Sequence, residues 1–308
     1  MNILMHIQVW IKAMRAPFFQ AVIIPVLVGT AIAYFHTGQF HAGYFILTLI
    51  GAICINGGTN LTNDYFDHKT SADDINKNYT PFSGGSRAIQ DGILSPRKII
   101  TAAMIFFGIA VLIGAFLVYK RGWILLLIGS IGVLSGYFYT ASPFRFGYRG
   151  WGEVIAGLDC GPLPVLGAYY VQAQAFSIEA LYVSIPIGIF ITAVLWINQF
   201  PDYSYDKKAK KNTLIVKLGP DKAIKGYLPL MISPYIIIAI GTLLGVIHWV
   251  SLFALLSLPL ALKAVMTAKV HYKGNKKLIP AMAGTIMTHL ATGLLLFFAY
   301  LIKSKVSA

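Results

Sequence analysis

The chain has 308 residues, 57% of them hydrophobic and 12% charged, against about 25% charged in a typical soluble domain. This excludes a soluble globular protein and leaves a polytopic membrane protein. The net charge of +14 is read as topology and not as nucleic-acid binding, because basic residues in membrane proteins collect on one side.

Lys12 and Arg15 precede an apolar run containing Ala31-Ile32-Ala33, the outline of a signal peptide. The run continues through Tyr34 and Phe35 into further membrane spans, so the first helix is expected to be retained. Hydropathy predicts about nine spans near the ~20 residues a bilayer requires, at 17–36, 43–63, 98–119, 122–140, 153–172, 178–200, 223–246, 248–267 and 281–302. Short turns alternate with four longer basic connections, 64–97, 141–152, 201–222 and 268–280. With the N-terminus inside, 21 of the 25 Lys and Arg fall on the side of those connections, which are therefore expected in the cytoplasm, with the protein in the cytoplasmic membrane. No soluble domain interrupts 1–308, which is read as a single integral-membrane domain. Cys54 and Cys160 lie in apolar segments without metal-ligand spacing and are read as buried hydrophobes.

Acids are scarce, only eleven, and four of them, Asp64, Asp67, Asp73 and Asp74, follow the second span. On a helix, Asn60, Asn63, Asp64 and Asp67 at i, i+3, i+4 and i+7 share one face. Two carboxylates a turn apart repel and call for a cation. Mg²⁺ fits, since it takes one or two carboxylates and completes its shell with water and phosphate oxygens. The bland alternative is an acidic loop that ends a helix at the water boundary. The sixth span ends similarly: Asn198, Asp202 and Asp206 are at i, i+4 and i+8, Pro201 can open the helix, and Lys207, Lys208, Lys210 and Lys211 follow. Two such clusters on one side could hold a diphosphate between them through Mg²⁺.

With these motifs the chain resembles the UbiA superfamily of intramembrane aromatic prenyltransferases. Asn63-Asp64-Tyr65-Phe66-Asp67 matches the family's Asn-Asp-x-x-Asp motif, and Asp202-Tyr203-Ser204-Tyr205-Asp206 its Asp-x-x-x-Asp motif. Within the family it is most similar to the branch that prenylates 1,4-dihydroxy-2-naphthoate in menaquinone synthesis, through Gly84-Gly85-Ser86-Arg87, Tyr139 to Arg145, Tyr148 to Glu153 and Lys211 to Gly219. Two departures stand out. Ser71 replaces the third Asp of the first motif, so Asp73 must substitute, and Lys210 replaces a usual Gly.

The resemblance implies an all-α fold, with the helices around a central cleft that opens to the cytoplasmic face, and transfer of a polyprenyl group from its diphosphate to an aromatic acceptor. Asp64, Asp67, Asp202 and Asp206 are then the Mg²⁺ ligands, and Arg87 and Arg145 balance the diphosphate. Asn60, Asn63, Asn198, Lys207 and Lys211 contact substrate, Tyr139 shields an allylic cation with its ring face, and Asp67 or Asp73 helps deprotonate the acceptor. Arg149 is a candidate to orient the acceptor carboxylate. The spacing from Asp67 to Asp73 and the stretch Pro81 to Arg87 favour the naphthoate, with decarboxylation, over 4-hydroxybenzoate or geranylgeranylglyceryl phosphate. A cation-coupled transporter would instead place its acids near the bilayer midplane. Asp159, at membrane depth beside Gly-Pro, is a functional candidate by default. Glu153 is expected at the interface, and His289 is expected to be a packing histidine.

Overall fold

A bilayer offers backbone groups no water, so each N–H and C=O in a span must be paired within its own segment, and the long apolar runs become helices. The computed structural model describes residues 3–306. Among them, eight stretches are long and apolar enough to cross a membrane: Ala16–Thr37, Ala42–Lys69, Pro96–Arg121, Gly152–Ala173, Ile178–Asn198, Pro220–Leu243, Trp249–His271 and Lys276–Ile302. Where a ninth full span was expected at 122–140, a shorter apolar helix forms, Ile124–Phe138. Its 15 residues rise only about 22 Å at 1.5 Å per residue.

In chain order the helices are α1 (Ile3–Ala13), α2 (Gln20–Thr37), α3 (Ala42–Lys69), α4 (Pro96–Arg121), α5 (Ile124–Phe138), α6 (Gly152–Asp159), α7 (Pro162–Ala173), α8 (Ile178–Asn198), α9 (Tyr203–Lys208), α10 (Leu214–Leu218), α11 (Pro220–Leu243), α12 (Leu258–His271) and α13 (Asn275–Val306). Starts follow local chemistry. Ser95 Oγ accepts from Lys98 N with Pro96 in the first turn, and Ser177 Oγ accepts from Ala180 N.

Three boundaries depart from the sequence-based expectation. The second span does not stop where the apolar run ends at residue 63. With no Gly or Pro to break it, α3 continues to Lys69 and carries Asp64 and Asp67 in its last turns. The fifth span is broken into α6 and α7 at Cys160-Gly161, where Pro162 lacks the N–H that would continue the helix. The break sits where α8 passes very close: a Cβ on Gly161 would lie 2.5 Å from Gly188 Cα, and one on Gly188 2.5 Å from Gly157 O, so only glycine permits the crossing. The N-terminal helix α1 was not anticipated. Val9, Trp10 and Met14 pack on Leu61, Ala88, Ile89, Leu94 and Ile99, which fixes the chain just before the first span.

The core has two main parts. Phe190, Trp196, Tyr227, Met231 and Met282 join α8, α11, α12 and α13; Ile24, Val28, Ile32, Val165 and Tyr300 join α2, α7 and α13. The four long connections meet at one end of the bundle: Asn76 Nδ2 donates to Asp202 Oδ1 at 2.7 Å, Asn212 N donates to Tyr148 O at 3.0 Å, and the Phe200 and Tyr272 rings lie 6.3 Å apart. The short turns meet at the other end. There Glu179 accepts from His248 N (2.7 Å) and Tyr300 OH (2.6 Å) and lies 2.8 Å from His36 Nε2.

Candidate active site

The last two turns of α3 form one wall of a chamber of about 230 Å³ at the end where the long connections meet. Asp67 is its focus. Lys211 Nζ donates to Asp67 Oδ2 at 2.8 Å, Asn63 Nδ2 donates to the same oxygen at 3.1 Å, and Tyr148 OH donates to Oδ1 at 2.7 Å. Asp64, a turn earlier, is sealed behind the wall: both of its oxygens accept from Ser86 N at 3.3 Å, and Oδ1 also accepts from Arg15 Nη2. Asn60 Nδ2 donates to Met14 O at 3.0 Å, which ties α3 to the N-terminal segment.

The connection between α3 and α4 folds over the acids because its backbone turns left-handed at Gly84 (φ +79°) and Gly85 (φ +77°). A Cβ on Gly85 would lie 2.2 Å from Asp73 Oδ2, so glycine lets this loop reach the carboxylates. Gly84 N donates to Asp202 Oδ2 at 3.1 Å. The second cluster is not one continuous helical face as expected. α8 ends at Asn198, Pro201 lies in the turn, and Asp202 caps the short α9 that carries Asp206. The turn still brings Asn198, Asp202 and Asp206 to the chamber, opposite Asp67 and Asp73. Lys211 N donates back to Asp206 O at 2.8 Å, and this returns the ammonium to the site.

Tyr139, at the end of α5, lines the chamber, as do Asn60, Asn63, Asp67, Asp73, Asn198, Asp202, Asp206 and Lys211. Three expected cations do not. Arg87 Nη1 donates to Asp73 O at 2.6 Å and its guanidinium lies 4.6 Å from the centre of the Tyr79 ring, so it braces the loop from behind. Arg145 Nε donates to Ser142 Oγ at 3.1 Å beside Tyr148. Lys207 is exposed over Tyr203. Nor does Arg149 reach the chamber: it is exposed and donates to Pro143 O at 3.0 Å. The positive charge in the chamber comes instead from Lys211 and from Arg15, which sequence reasoning read as topological. Arg15 sits in a left-handed turn (φ 53°) directly before the first span, and only its place two residues before Pro17 hinted at an inward turn. Glu153 is not at the interface. It is buried, and its Oε1 accepts from Leu214 N at 3.0 Å. His289 is buried, with Nδ1 3.0 Å from Gln20 Oε1.

Five carboxyls, of Asp64, Asp67, Asp73, Asp202 and Asp206, thus surround two cationic side chains. Burial, with the Asp67 charge beside it, raises Asp73 well above the usual carboxyl range. Burial also pushes Asp202 up to about 6, against hydrogen bonds from Asn76 and the Lys211 charge. It pushes Asp206 up to about 8, with Asp202 and Asp67 adding repulsion. Burial opposes the Lys211 ammonium, but Asp67 and Asp206 more than offset it and hold its pKa well above the ordinary lysine value. Among the described residues no three His, Cys, Asp or Glu side chains converge on one point as a preformed metal cage; here hydrogen bonds and the two cations hold the carboxylates apart.

The chamber adjoins a second, apolar cavity of about 390 Å³ walled by α3, α4, α5 and α7, including Leu47, Ile113, Leu125, Val133 and Leu163. Val22, Ile55 and Asp159 border both spaces. A polar, acid-rich chamber running into an apolar one suits a ligand with a charged head and a long hydrocarbon tail.

An all-helical membrane bundle with two facing aspartate clusters defines an intramembrane enzyme of the prenyltransferase class. The sequence profile of the UbiA prenyltransferase family matches residues 22–290, and the chain belongs to that family. It is 30% identical over 295 residues to a 2-carboxy-1,4-naphthoquinone phytyltransferase of Synechocystis sp., covering 95% of this chain and 93% of that relative. It is 29% identical over 280 residues to a 1,4-dihydroxy-2-naphthoate octaprenyltransferase of Bacillus subtilis, covering 91% of this chain and 88% of that one. A UbiA homolog from Archaeoglobus fulgidus bound to DMAPP and Mg²⁺ superposes with a TM-score of 0.63 at 18% identity, over 94% of this chain and 99% of its own; this supports the fold.

Proposed function

We propose that the chain, acting as one catalytic domain over 1–308, transfers a polyprenyl group from its diphosphate to 1,4-dihydroxy-2-naphthoate with loss of the carboxyl group as CO₂, as a step of menaquinone synthesis. The observation that carries this reading is an aspartate chamber at one end of a membrane bundle that shares the wall of Val22, Ile55 and Asp159 with an apolar cavity. The naphthoquinone and naphthoate transferases among the bacterial relatives support the naphthoate as acceptor.

The residues present fit Mg²⁺. The donors are all oxygen, as a hard cation prefers; Asp73 Oδ2 and Asn198 Oδ1 are buried without a partner; and burial holds Asp202 and Asp206 partly protonated for want of positive charge. Asp67 on one wall, and Asp202 with Asp206 on the other, would each hold a metal through one or two carboxylates, which leaves Asp73 as the base. Asp64 would join once released from Arg15 and Ser86. When bound, Mg²⁺ neutralises the charge that grows on the departing diphosphate.

The chain's own residues do the rest. Arg15 and Lys211 hold the diphosphate oxygens, Arg15 as a planar fork and Lys211 as a point charge. The C–O bond of the prenyl diphosphate breaks with its electron pair going to the diphosphate, and the Tyr139 ring shields the allylic cation. The acceptor carbon bearing the carboxylate attacks. Asp73 takes the proton of the neighbouring hydroxyl during attack and returns it as CO₂ leaves and the ring regains aromaticity. The apolar cavity keeps the tail out of water. The basic connections at the site end support a cytoplasmic orientation in the cell membrane.

Purified protein with a long-chain prenyl diphosphate, Mg²⁺ and each candidate acceptor, read by mass spectrometry, tests this. A 2-prenylated naphthalene-1,4-diol that has lost the carboxyl group is expected. Prenylated 4-hydroxybenzoate or a glyceryl ether lipid, with the naphthoate untouched, refutes the reading.

A further inference from the structure

Resting on that reading, we infer that Asp159 and Gln20 form a subsite for the acceptor's second ring hydroxyl, the one across the ring from the hydroxyl that Asp73 serves. Asp159 ends α6 just before the Cys160-Gly161 break, at the border between the polar chamber and the apolar cavity. A carboxyl inside a membrane span is retained at a cost and marks a site. Its polar neighbour is Ser135, one turn and about 6 Å below Tyr139 on α5; Ser135 Oγ donates to Ile131 O at 2.6 Å. Asp159 Oδ1 is buried without any partner. Gln20 lines the same chamber from the start of α2. Its Oε1 is engaged by His289 Nδ1 at 3.0 Å, which leaves its amide nitrogen buried without a partner. The residues next to Gln20, Ala21 and Val22, pack on Cys160, the residue next to Asp159, so the two unsatisfied groups lie on neighbouring walls.

One orphan is an acceptor and the other a donor. A phenolic hydroxyl is both. It donates to Asp159 and accepts from Gln20, and so satisfies two buried groups that otherwise remain unpaired. His289 is a positioning residue: by holding Gln20 Oε1 it turns the amide nitrogen free. An aromatic ring held between Asp73 above and Asp159 below presents its carboxyl-bearing edge toward the allylic carbon, so the subsite selects para-dihydroxylated acceptors over mono-hydroxylated ones.

The test compares binding of 1,4-dihydroxy-2-naphthoate with 1-hydroxy-2-naphthoate, by calorimetry on the detergent-purified full chain, in wild type, Asp159→Val and Gln20→Leu. Affinity for a prenyl diphosphate with Mg²⁺ serves as the control for folding. Wild type is expected to prefer the dihydroxy ligand at least about tenfold, by loss of a hydrogen bond to a charged group. Both variants should bring the ratio near one, with prenyl diphosphate affinity kept within about twofold, and Gln20→Leu stands alone if Asp159→Val fails to fold. Unchanged discrimination in a folded variant, while wild type prenylates the naphthoate, overturns the subsite alone. A wild type that neither binds nor prenylates the naphthoate overturns the subsite together with the reading it rests on.

Discussion

Replacing Lys211 by Met removes the ammonium 2.8 Å from Asp67 Oδ2 and keeps most of the side chain's volume. Both partners are buried, with side chains 15% and 2% exposed, so solvent screens the pair weakly. At an effective dielectric near 20 the Coulomb attraction at this separation is about 6 kcal/mol. Desolvation of both groups offsets part of that, and breaking a buried pair by deleting one partner costs about 3–5 kcal/mol, because the remaining charge is left uncompensated. In the metal-free protein this corresponds to a fall in the unfolding midpoint on the order of 10 °C. Mg²⁺ should restore much of the loss, since it supplies the charge Asp67 lacks, whereas turnover should stay low because the diphosphate has lost a ligand. Differential scanning fluorimetry of the purified protein with and without Mg²⁺ reads both effects. Lys207→Met is the control: exposed over Tyr203, it should fall within about 0.5 kcal/mol of wild type. A Lys211→Met midpoint within about 2 °C of wild type without metal would refute the view that this pair neutralises the site.

Asp67→Ala, Asp202→Ala and Asp206→Ala should each lower turnover by at least roughly 10²-fold, as removal of one transition-state charge contact does elsewhere, while each still inserts; near-native rates in two of the three would dismiss the two-cluster site. Gly85→Ala, at φ +77° and with its Cβ 2.2 Å from Asp73 Oδ2, should displace Asp73 and lower kcat more than it raises KM for prenyl diphosphate, and steady-state kinetics decide. Asp206 and Asp202 have folded-state values raised to about 8 and about 6 above the ordinary 3.8, so their stability cost is absent below 3.8 and grows as pH rises toward about 8. Mg²⁺ affinity measured by calorimetry should therefore tighten from pH 6 to about 8 and flatten above; a flat profile argues against these carboxyls as ligands. Single cysteines at the exposed positions Lys77 and Ser204, in a Cys-free background, should resist a membrane-impermeant thiol reagent added outside intact cells; labelling of either reverses the orientation.

The acid clusters were legible because carboxylates are scarce in so apolar a chain, and because one-turn spacing survives whether the helix runs on, as at Asp64 and Asp67 (i, i+3), or breaks, as between Asn198 and Asp202 (i, i+4). The spans were legible for the same physical reason, since lipid leaves the backbone one economical answer. Of the cations, Lys211 was legible from its place after the second cluster, but the arginines were not. Which arginine enters the chamber depends on how three connections fold against each other, and that is set by long-range contacts such as Asn76 with Asp202 and by left-handed turns at Arg15, Gly84, Gly85 and Arg87. Hydropathy sees Arg15 and Arg145 as equivalent boundary charges; only the turn before Pro17 sends one inward. The break at Cys160-Gly161 was missed within the expected span 153–172 although Gly161-Pro162 marks it, and its consequence, a carboxyl placed between two cavities, needs the glycine contact between α6 and α8 to be seen.

The charge pattern also orders the binding events. Arg15 pairs with Asp64 and Lys211 with Asp67, so each cation must leave its carboxylate to receive a phosphate. A diphosphate arriving alone would add negative charge to a site where carboxyls already outnumber bases and where Asp202 and Asp206 are held toward their protonated forms. Mg²⁺ arriving alone would meet carboxylates that, among the described residues, no three-residue cage brings together. On the proposed reading each ligand would repair what hinders the other: Asp64 and Asp67 would hold the metal and so free Arg15 and Lys211 for the diphosphate, whose oxygens suit a hard cation. Coupling of this kind is reciprocal. The affinity gain of prenyl diphosphate on adding Mg²⁺ must equal that of Mg²⁺ on adding prenyl diphosphate, and Lys211→Met, which removes one of the two released cations, must shrink both by the same factor.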